Sequence, residues 1–136
     1  MFVDACAIVA IMAGEDTAQA YEAALAQAES AFTSPMAAWE AIIVLSRPDQ
    51  LDCRYSEAAA AVTEWLDARG IDLREPPSPR DVLAYAVDVA EMHGIGRRAL
   101  SNFDCFHYAY ARAGGVPLLT LDQLLRRTDV PTQPED

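Results

Sequence analysis

Four acidic residues stand where a folded chain could use them together. Asp4 ends a short apolar segment, and Asp122 closely follows another. Asp104 lies in the first turn of a predicted helix, and Glu40 lies well inside another helix with apolar neighbours on both sides. Carboxylates brought together repel one another unless a cation lies among them. Oxygen ligands suit Mg²⁺ and Mn²⁺, so the combination favours a divalent-metal site of the kind found in phosphodiester hydrolases.

Each of these acids, taken alone, has a simpler interpretation. Asp4 after a strand is typical of a turn or a helix cap, and Asp104 and Asp122 are acids that the N-terminal dipole of a helix tolerates. Glu40 alone is a solvated position on a helix. The case for a site therefore depends on four acids converging from four separate elements.

The elements that would position the acids are short apolar strands alternating with alanine-rich helices. Strands are predicted at 2–3, 31–33, 71–74 and 117–120, with a last edge strand beginning at 129–130, and helices at 5–13, 17–30, 35–46, 56–69, 79–93, 103–113 and 122–127. This alternation predicts an α/β fold of three layers, with a central, mostly parallel sheet of four to five strands flanked by helices. Sites in such sheets form beyond the carboxyl ends of the strands, where Asp4 and Asp122 are expected.

Length and composition indicate a single globular domain over residues 1–130, followed by a polar, proline-containing tail at 131–136 that we expect to be disordered. No apolar run approaches the roughly 18 residues of a membrane span. The first residues include an acid and no early base, which is a poor signal peptide. The three cysteines form no CxxC pair. These features favour the cytoplasm and no membrane partner.

The charge of the chain restricts its partners. The net charge is −11, from 21 acids and 10 bases, and every base is an arginine. Such a surface repels nucleic acid unless a cation or a local arginine patch intervenes, and it attracts basic proteins. The absence of lysine excludes every mechanism that needs a catalytic lysine.

Three segments carry a resemblance to a known family. VDACAIVAI near the start, SPMAAWEAIIVLSR around Glu40, and NFDCFHYAYARAGGVPLLTLD near the end resemble the PIN-domain ribonucleases, and most closely the VapC-type toxins of bacterial toxin–antitoxin pairs. The resemblance covers nearly the whole chain and implies a PIN-like fold. It implies that Asp4 and Asp104 are the main ligands of one or two Mg²⁺ or Mn²⁺ ions, that Glu40 and Asp122 complete the site, and that RNA is hydrolysed to a 3′-hydroxyl and a 5′-phosphate.

The same resemblance implies a cognate VapB-like antitoxin with a basic residue facing the acids. It also makes Arg97 and Arg98 candidate contacts to the RNA backbone, although a solvated loop that balances the acids explains them equally well. Apolar residues on the helices between 16 and 69 exceed what a thin sheet can cover, which predicts a homodimer. Two positions depart from the family: Ala5 replaces a serine or threonine, and Phe103 replaces a glycine. Neither departure removes a carboxylate.

Other residues and other functions fit less well. His93 and His107 have no metal-ligand spacing with each other or with a cysteine, so we expect His107 to be a packed or half-exposed helix residue. A phospho-receiver switch also binds Mg²⁺ between aspartates, but it has paired acids after its first strand and a lysine near its end. A PIN-like module that binds partners without cutting RNA is the second alternative.

Overall fold

The sheet at the centre of the fold has five parallel strands. The computed structural model describes residues 1–135, so the part of the predicted tail at Asp136 lies outside the described residues. The strands run in the order β3-β2-β1-β4-β5. Their bounds are β1 Phe2–Val3, β2 Phe32–Thr33, β3 Asp72–Leu73, β4 Leu118–Leu119 and β5 Thr132–Gln133. All four pairings are parallel, which confirms the predicted α/β class.

Six α-helices connect and flank these strands. They are α1 Ala5–Ala13, α2 Ala18–Gln27, α3 Pro35–Leu45, α4 Tyr55–Arg69, α5 Pro79–His93 and α6 Asn102–Gly114, followed by a 3₁₀ turn at Leu125–Arg127. The two predicted serine-proline starts are real caps: Ser34 Oγ accepts the N–H of Ala37 at 3.0 Å, and Ser78 Oγ accepts that of Asp81 at 3.4 Å. No helix among residues 1–135 is both long enough and apolar enough to cross a membrane.

The sheet separates two apolar cores. Successive residues of a strand point to opposite faces, and β1 and β4 each send one side chain into each core. Val3 and Leu119 pack with α1 to α4, whereas Phe2 and Leu118 pack with α5 and α6. The result is the predicted three-layer arrangement, in which the three central strands β1, β2 and β4 are buried, while the edge strand β3 is exposed.

The end of the chain differs from the prediction. The last strand begins at Thr132 rather than at 129–130, inside the segment expected to be a disordered tail. The N–H of Leu118 donates to Pro131 O at 2.9 Å, and that of Thr120 donates to Gln133 O at 2.8 Å, so β5 is an edge strand of the sheet. The sequence did not predict this strand because it is polar and flanked by prolines. An edge strand pairs on one side only and so tolerates proline. The predicted helix at 122–127 shortens to the 3₁₀ turn.

Candidate metal centre

The fold brings the four predicted acids to one cleft. Asp4, Glu40, Asp104 and Asp122 all line a depression of about 350 Å³ at the carboxyl ends of the central strands. They arrive from four separate elements: the end of β1, the interior of α3, the first turn of α6 and the segment after β4. Glu15, in the turn after α1, is a fifth acid at the same cleft, and the sequence analysis did not single it out.

Asp4 is the most enclosed of these acids, with 2% of its surface exposed. It occupies the N-cap position of α1 but makes no side-chain capping bond, so the simple helix-cap interpretation is wrong. Its Oδ2 accepts instead from the hydroxyl of Thr120 at 2.7 Å and from the thiol of Cys6 at 2.8 Å. Burial and the neighbouring Asp4 charge raise the pKa of Cys6, so this thiol keeps its proton and remains a donor.

Glu40 contacts His107, a buried residue that does not itself line the cleft. His107 Nε2 lies 2.9 Å from Glu40 Oε1 and 3.6 Å from Asp4 Oδ1. The imidazole is completely buried. Burial lowers the pKa of His107, but the hydrogen bond to Glu40 and the charges of Asp4, Glu40 and Asp104 outweigh it, so the pKa lies above the ordinary value. We predicted a packed or half-exposed helix residue, and His107 is indeed packed. The prediction did not include its contacts with Asp4 and Glu40.

Asp104 forms a capping box with Ser101 at the start of α6. Its Oδ2 accepts the N–H of Ser101 at 2.9 Å, and Ser101 Oγ accepts the N–H of Asp104 at 3.0 Å. Desolvation raises the pKa of the Asp104 carboxyl, and the charges of Asp4 and Asp122 raise it further against the Ser101 hydrogen bonds. Asp104 therefore feels the repulsion expected of clustered acids.

Asp122 is fixed by backbone groups of the following turn. Its Oδ1 accepts the N–H groups of Leu124 at 2.9 Å and Leu125 at 3.0 Å. The four acids thus share one pattern, in which a protein donor holds one carboxylate oxygen. Within residues 1–135, no hydrogen bond engages the second oxygen of any of them, and that of Asp4 has only the 3.6 Å contact with His107 Nε2.

The donor set fits a divalent cation. Ligand atoms of Asp4, Glu40 and His107 lie within 4.8 Å of one another, and the other cleft donors are carboxylate oxygens. No lysine or arginine is among the described residues that line the cleft, and the buried His107 is a basic side chain in contact with Asp4 and Glu40. Oxygen-rich sites of this kind suit Mg²⁺ and Mn²⁺.

Arg97 and Arg98 do not line the cleft. Both are exposed in the loop between α5 and α6, where Arg98 has a left-handed backbone with φ 66°. The loop continues directly into Ser101, which does line the cleft. The structure thus places the two arginines beside the chain segment that enters the site, and not within it.

Some signals for the residues that were missed exist in the sequence. His107 lies three residues after Asp104 on one helix, so the two side chains share a face, which brings His107 close to the other acids. Cys6 stands directly after Ala5, where the family's hydroxyl is missing, and it supplies one of the two donors to Asp4. The contact of Thr120 with Asp4 joins residues 116 positions apart and has no local signal.

Comparisons with known proteins agree with this geometry. The sequence profile of the PIN domain family matches residues 1–131. The chain is 30% identical over 131 residues to Ribonuclease VapC42 of Mycobacterium tuberculosis, covering 96% of each chain. It is 27% identical over 133 residues to Ribonuclease VapC30 of the same species, covering 97% of each. It is also 29% identical over 131 residues to Ribonuclease VapC of Mycolicibacterium smegmatis, covering 96% of this chain and 97% of the relative.

A solved structure shares the fold. The crystal structure of M. tuberculosis VapC20, described as a sarcin-ricin loop cleaving toxin, superposes with a TM-score of 0.71 at 17% identity over 95% of each chain. The five-stranded parallel sheet and its flanking helices are therefore a PIN-like fold. The chain belongs to the PIN-domain family, and the relatives it matches there are VapC ribonucleases.

Proposed function

We propose that this protein is a divalent-metal-dependent endoribonuclease and the toxin of a toxin–antitoxin pair. One observation carries the proposal: four carboxylates from four elements line one cleft, each with one oxygen held by the protein and one left over. Membership of the PIN family and the ribonuclease names of the relatives support the same chemistry. We place its action in the cytoplasm, where RNA is available.

In this proposal Asp4 and Asp104 are the main ligands of Mg²⁺ or Mn²⁺, and Glu40 and Asp122 complete the site. When bound, the ion would supply Lewis-acid stabilisation of the phosphate and would lower the pKa of the attacking water. The chain's own part is orientation: Thr120 and Cys6 hold Asp4, Ser101 holds Asp104, and backbone N–H groups hold Asp122.

The partners follow from charge and exposed apolar surface. With a net charge of −11, RNA binding needs a cation or a local arginine patch, and we propose that Arg97 and Arg98 contact the RNA backbone beside the cleft. We further propose a homodimer and a VapB-like antitoxin whose basic residue, such as an arginine, enters the acidic cleft. Support comes from large apolar side chains that stay exposed, among them Trp39, Tyr55, Leu83 and Val87.

A cleavage assay tests the catalytic proposal. The purified protein is incubated with a mixed RNA pool in Mn²⁺, in Mg²⁺ and in excess EDTA, and the product ends are identified. We expect cleavage only with metal, and products that carry 5′-phosphates and 3′-hydroxyls. RNA that is bound but left intact in Mn²⁺ would favour the non-catalytic PIN-like module instead. Cleavage that persists in EDTA would contradict the metal mechanism.

Light scattering and pull-down test the assembly. The protein alone should scatter as a dimer at tens of micromolar, and tagged protein should retain the small product of the neighbouring reading frame. A monomer with no retained partner would contradict this part of the proposal.

A further inference from the structure

Glu40 differs from the other three acids in how it is held. Asp4 has two side-chain donors, while Asp104 and Asp122 accept backbone N–H groups. Glu40 lies in the interior of α3, where the backbone N–H groups serve the helix itself. Within residues 1–135 its one hydrogen bond is the 2.9 Å contact between Oε1 and His107 Nε2. The orientation of the Glu40 side chain, which is longer than the three aspartates, therefore depends on a single donor.

His107 is itself held rigidly. Its ring is completely buried, tilted against Phe2 with 5.8 Å between ring centroids and stacked on Phe103 at 6.4 Å. Because an ionised carboxylate can only accept, the hydrogen of this bond is on Nε2. Nδ1 is buried and has no hydrogen-bond partner among the described residues.

A buried imidazole nitrogen without a hydrogen-bond partner lowers the stability of the fold. Leucine or phenylalanine could fill the space between Phe2 and Phe103 without burying an unpaired polar atom. What the imidazole adds is the Nε2–H at Glu40. The contact that justifies the residue is therefore the one that faces the acids.

We propose that His107 is a positioning residue for the acidic site: its Nε2–H holds Glu40 Oε1 and leaves Oε2 for the metal ion. The inference rests on the proposed function, because it assumes that the cleft binds a divalent cation. Without the donor, the Glu40 side chain regains its rotamer freedom, and ordering it again opposes metal binding. Residues that orient metal-binding groups in this way affect affinity strongly when they are replaced.

A double-mutant cycle on metal affinity tests the role without any RNA. Mn²⁺ binding to the metal-free protein is measured by calorimetry for the wild type, His107→Leu, Glu40→Gln and the double variant. We expect His107→Leu to weaken Mn²⁺ binding by about tenfold. The same change in the Glu40→Gln background should alter it by less than about twofold, because the partner carboxylate is already gone.

Two further variants separate positioning from packing. His107→Gln places an amide N–H near the position of Nε2 and should recover most of the affinity. His93→Gln changes the other histidine, which is exposed at the end of α5, and should leave the affinity unchanged. Should His107→Leu fail to fold, His107→Phe, which keeps a ring between Phe2 and Phe103, replaces it in the cycle.

Unchanged Mn²⁺ affinity in His107→Leu would overturn the proposal. So would an equal loss with and without the Glu40 carboxylate, since that is the signature of a general structural role. If the coupling is present but the wild type cuts no RNA, the positioning role is supported and the ribonuclease proposal is the one that fails.

Discussion

Asp4 depends on a hydroxyl from the far end of the chain. Thr120 is fully buried, donates to Asp4 Oδ2 at 2.7 Å and accepts the N–H of Asp122 at 3.1 Å. One side chain thus fixes the carboxylate after β1 and also anchors the segment that carries the fourth acid. Cys6 lies 3.2 Å from the same hydroxyl, so the three groups form one polar cluster beneath the cleft.

Replacing Thr120 by valine keeps the side-chain shape and removes this hydroxyl. We expect the free energy of unfolding to fall by about 1–3 kcal/mol, because buried donors and acceptors lose their partner. Mn²⁺ affinity should fall as well, by about tenfold, because Asp4 is no longer oriented. Chemical denaturation and calorimetry measure the two effects.

Thr33 offers a matched control for that variant. It is equally buried, and its hydroxyl donates to the carbonyl of Val3 at 2.7 Å on the neighbouring strand. Thr33→Val should lower stability by a similar amount and leave Mn²⁺ affinity unchanged. If both variants weaken Mn²⁺ binding alike, Thr120 has no specific role at the site.

At the scale of elements, α6 contributes both to the core and to the acidic site. The helix carries Cys105 and Tyr108 into the core, Asp104 lines the cleft, and the buried His107 contacts Asp4 and Glu40. The capping box at Ser101 closes the first turn of the helix and fixes Asp104 through the same pair of hydrogen bonds. Capping of the helix and orientation of a proposed ligand are therefore two hydrogen bonds of one residue pair.

Ser101→Ala should affect both properties. Loss of the hydroxyl that accepts the Asp104 N–H lowers stability by about 1 kcal/mol. The Ser101 backbone N–H that Asp104 Oδ2 accepts remains, so we expect Mn²⁺ binding to weaken only through the less stable first turn of α6. Ser78→Ala removes the corresponding cap of α5, which is outside the cleft, so it should lower stability without changing Mn²⁺ affinity. Thermal melts and calorimetry on the two variants provide the comparison, and equal Mn²⁺ affinities would show that the Ser101 cap acts on the helix alone.

Element-scale signals explain what the sequence could and could not predict. Ser34-Pro35 and Ser78-Pro79 mark two helix starts by local chemistry, and both are observed. The strand at 132–133 is polar and lies between prolines, so no local pattern reveals it. Asp4, Asp104 and Asp122 could be predicted to lie near one another, since strand ends and helix starts meet at one sheet edge. That rule does not reach Glu40, which lies in the interior of α3.

The partners of those acids could not be predicted in the same way. His107 and Glu40 are 67 positions apart, and their contact depends on how α6 packs against α3. The hydrogen bond from Thr120 to Asp4 depends on β4 pairing with β1. Such choices are made by tertiary packing, so they become visible only in the structure.

At the scale of the whole molecule, repulsion among the cleft acids lowers the stability of the metal-free protein. The net charge is −11, and the pKa of Asp104 is raised by desolvation and by the nearby charges of Asp4 and Asp122. For an acid, a pKa higher in the folded state than in the unfolded state means that ionisation lowers stability as pH rises. The metal-free protein should therefore gain stability from Asp104→Asn at neutral pH.

Metal binding should make the wild type more stable than Asp104→Asn, the reverse of the order expected for the metal-free proteins. An ion that binds only the folded state stabilises it by about 2.7 kcal/mol at a free concentration one hundred times its dissociation constant. We expect Mn²⁺ or Mg²⁺ to raise the melting temperature of the wild type by several degrees and that of Asp104→Asn far less.

Metal analysis should find two or fewer ions per chain and no zinc, since the cleft offers mainly carboxylates. Stoichiometric zinc that survives mild chelation would contradict this assignment.

The most direct test of the carboxylate mechanism is RNA cleavage by two aspartate-to-asparagine variants in Mn²⁺. Asp104→Asn removes one charge from the cleft and keeps an acceptor for the Ser101 N–H. Asp129→Asn makes the same change at an exposed residue outside the cleft, whose carboxylate accepts from the Tyr108 hydroxyl at 2.6 Å. We predict that Asp104→Asn loses cleavage of a mixed RNA pool while its melt shows a folded protein, and that Asp129→Asn keeps most of it. Asp104→Asn cutting RNA as fast as the wild type would contradict the mechanism.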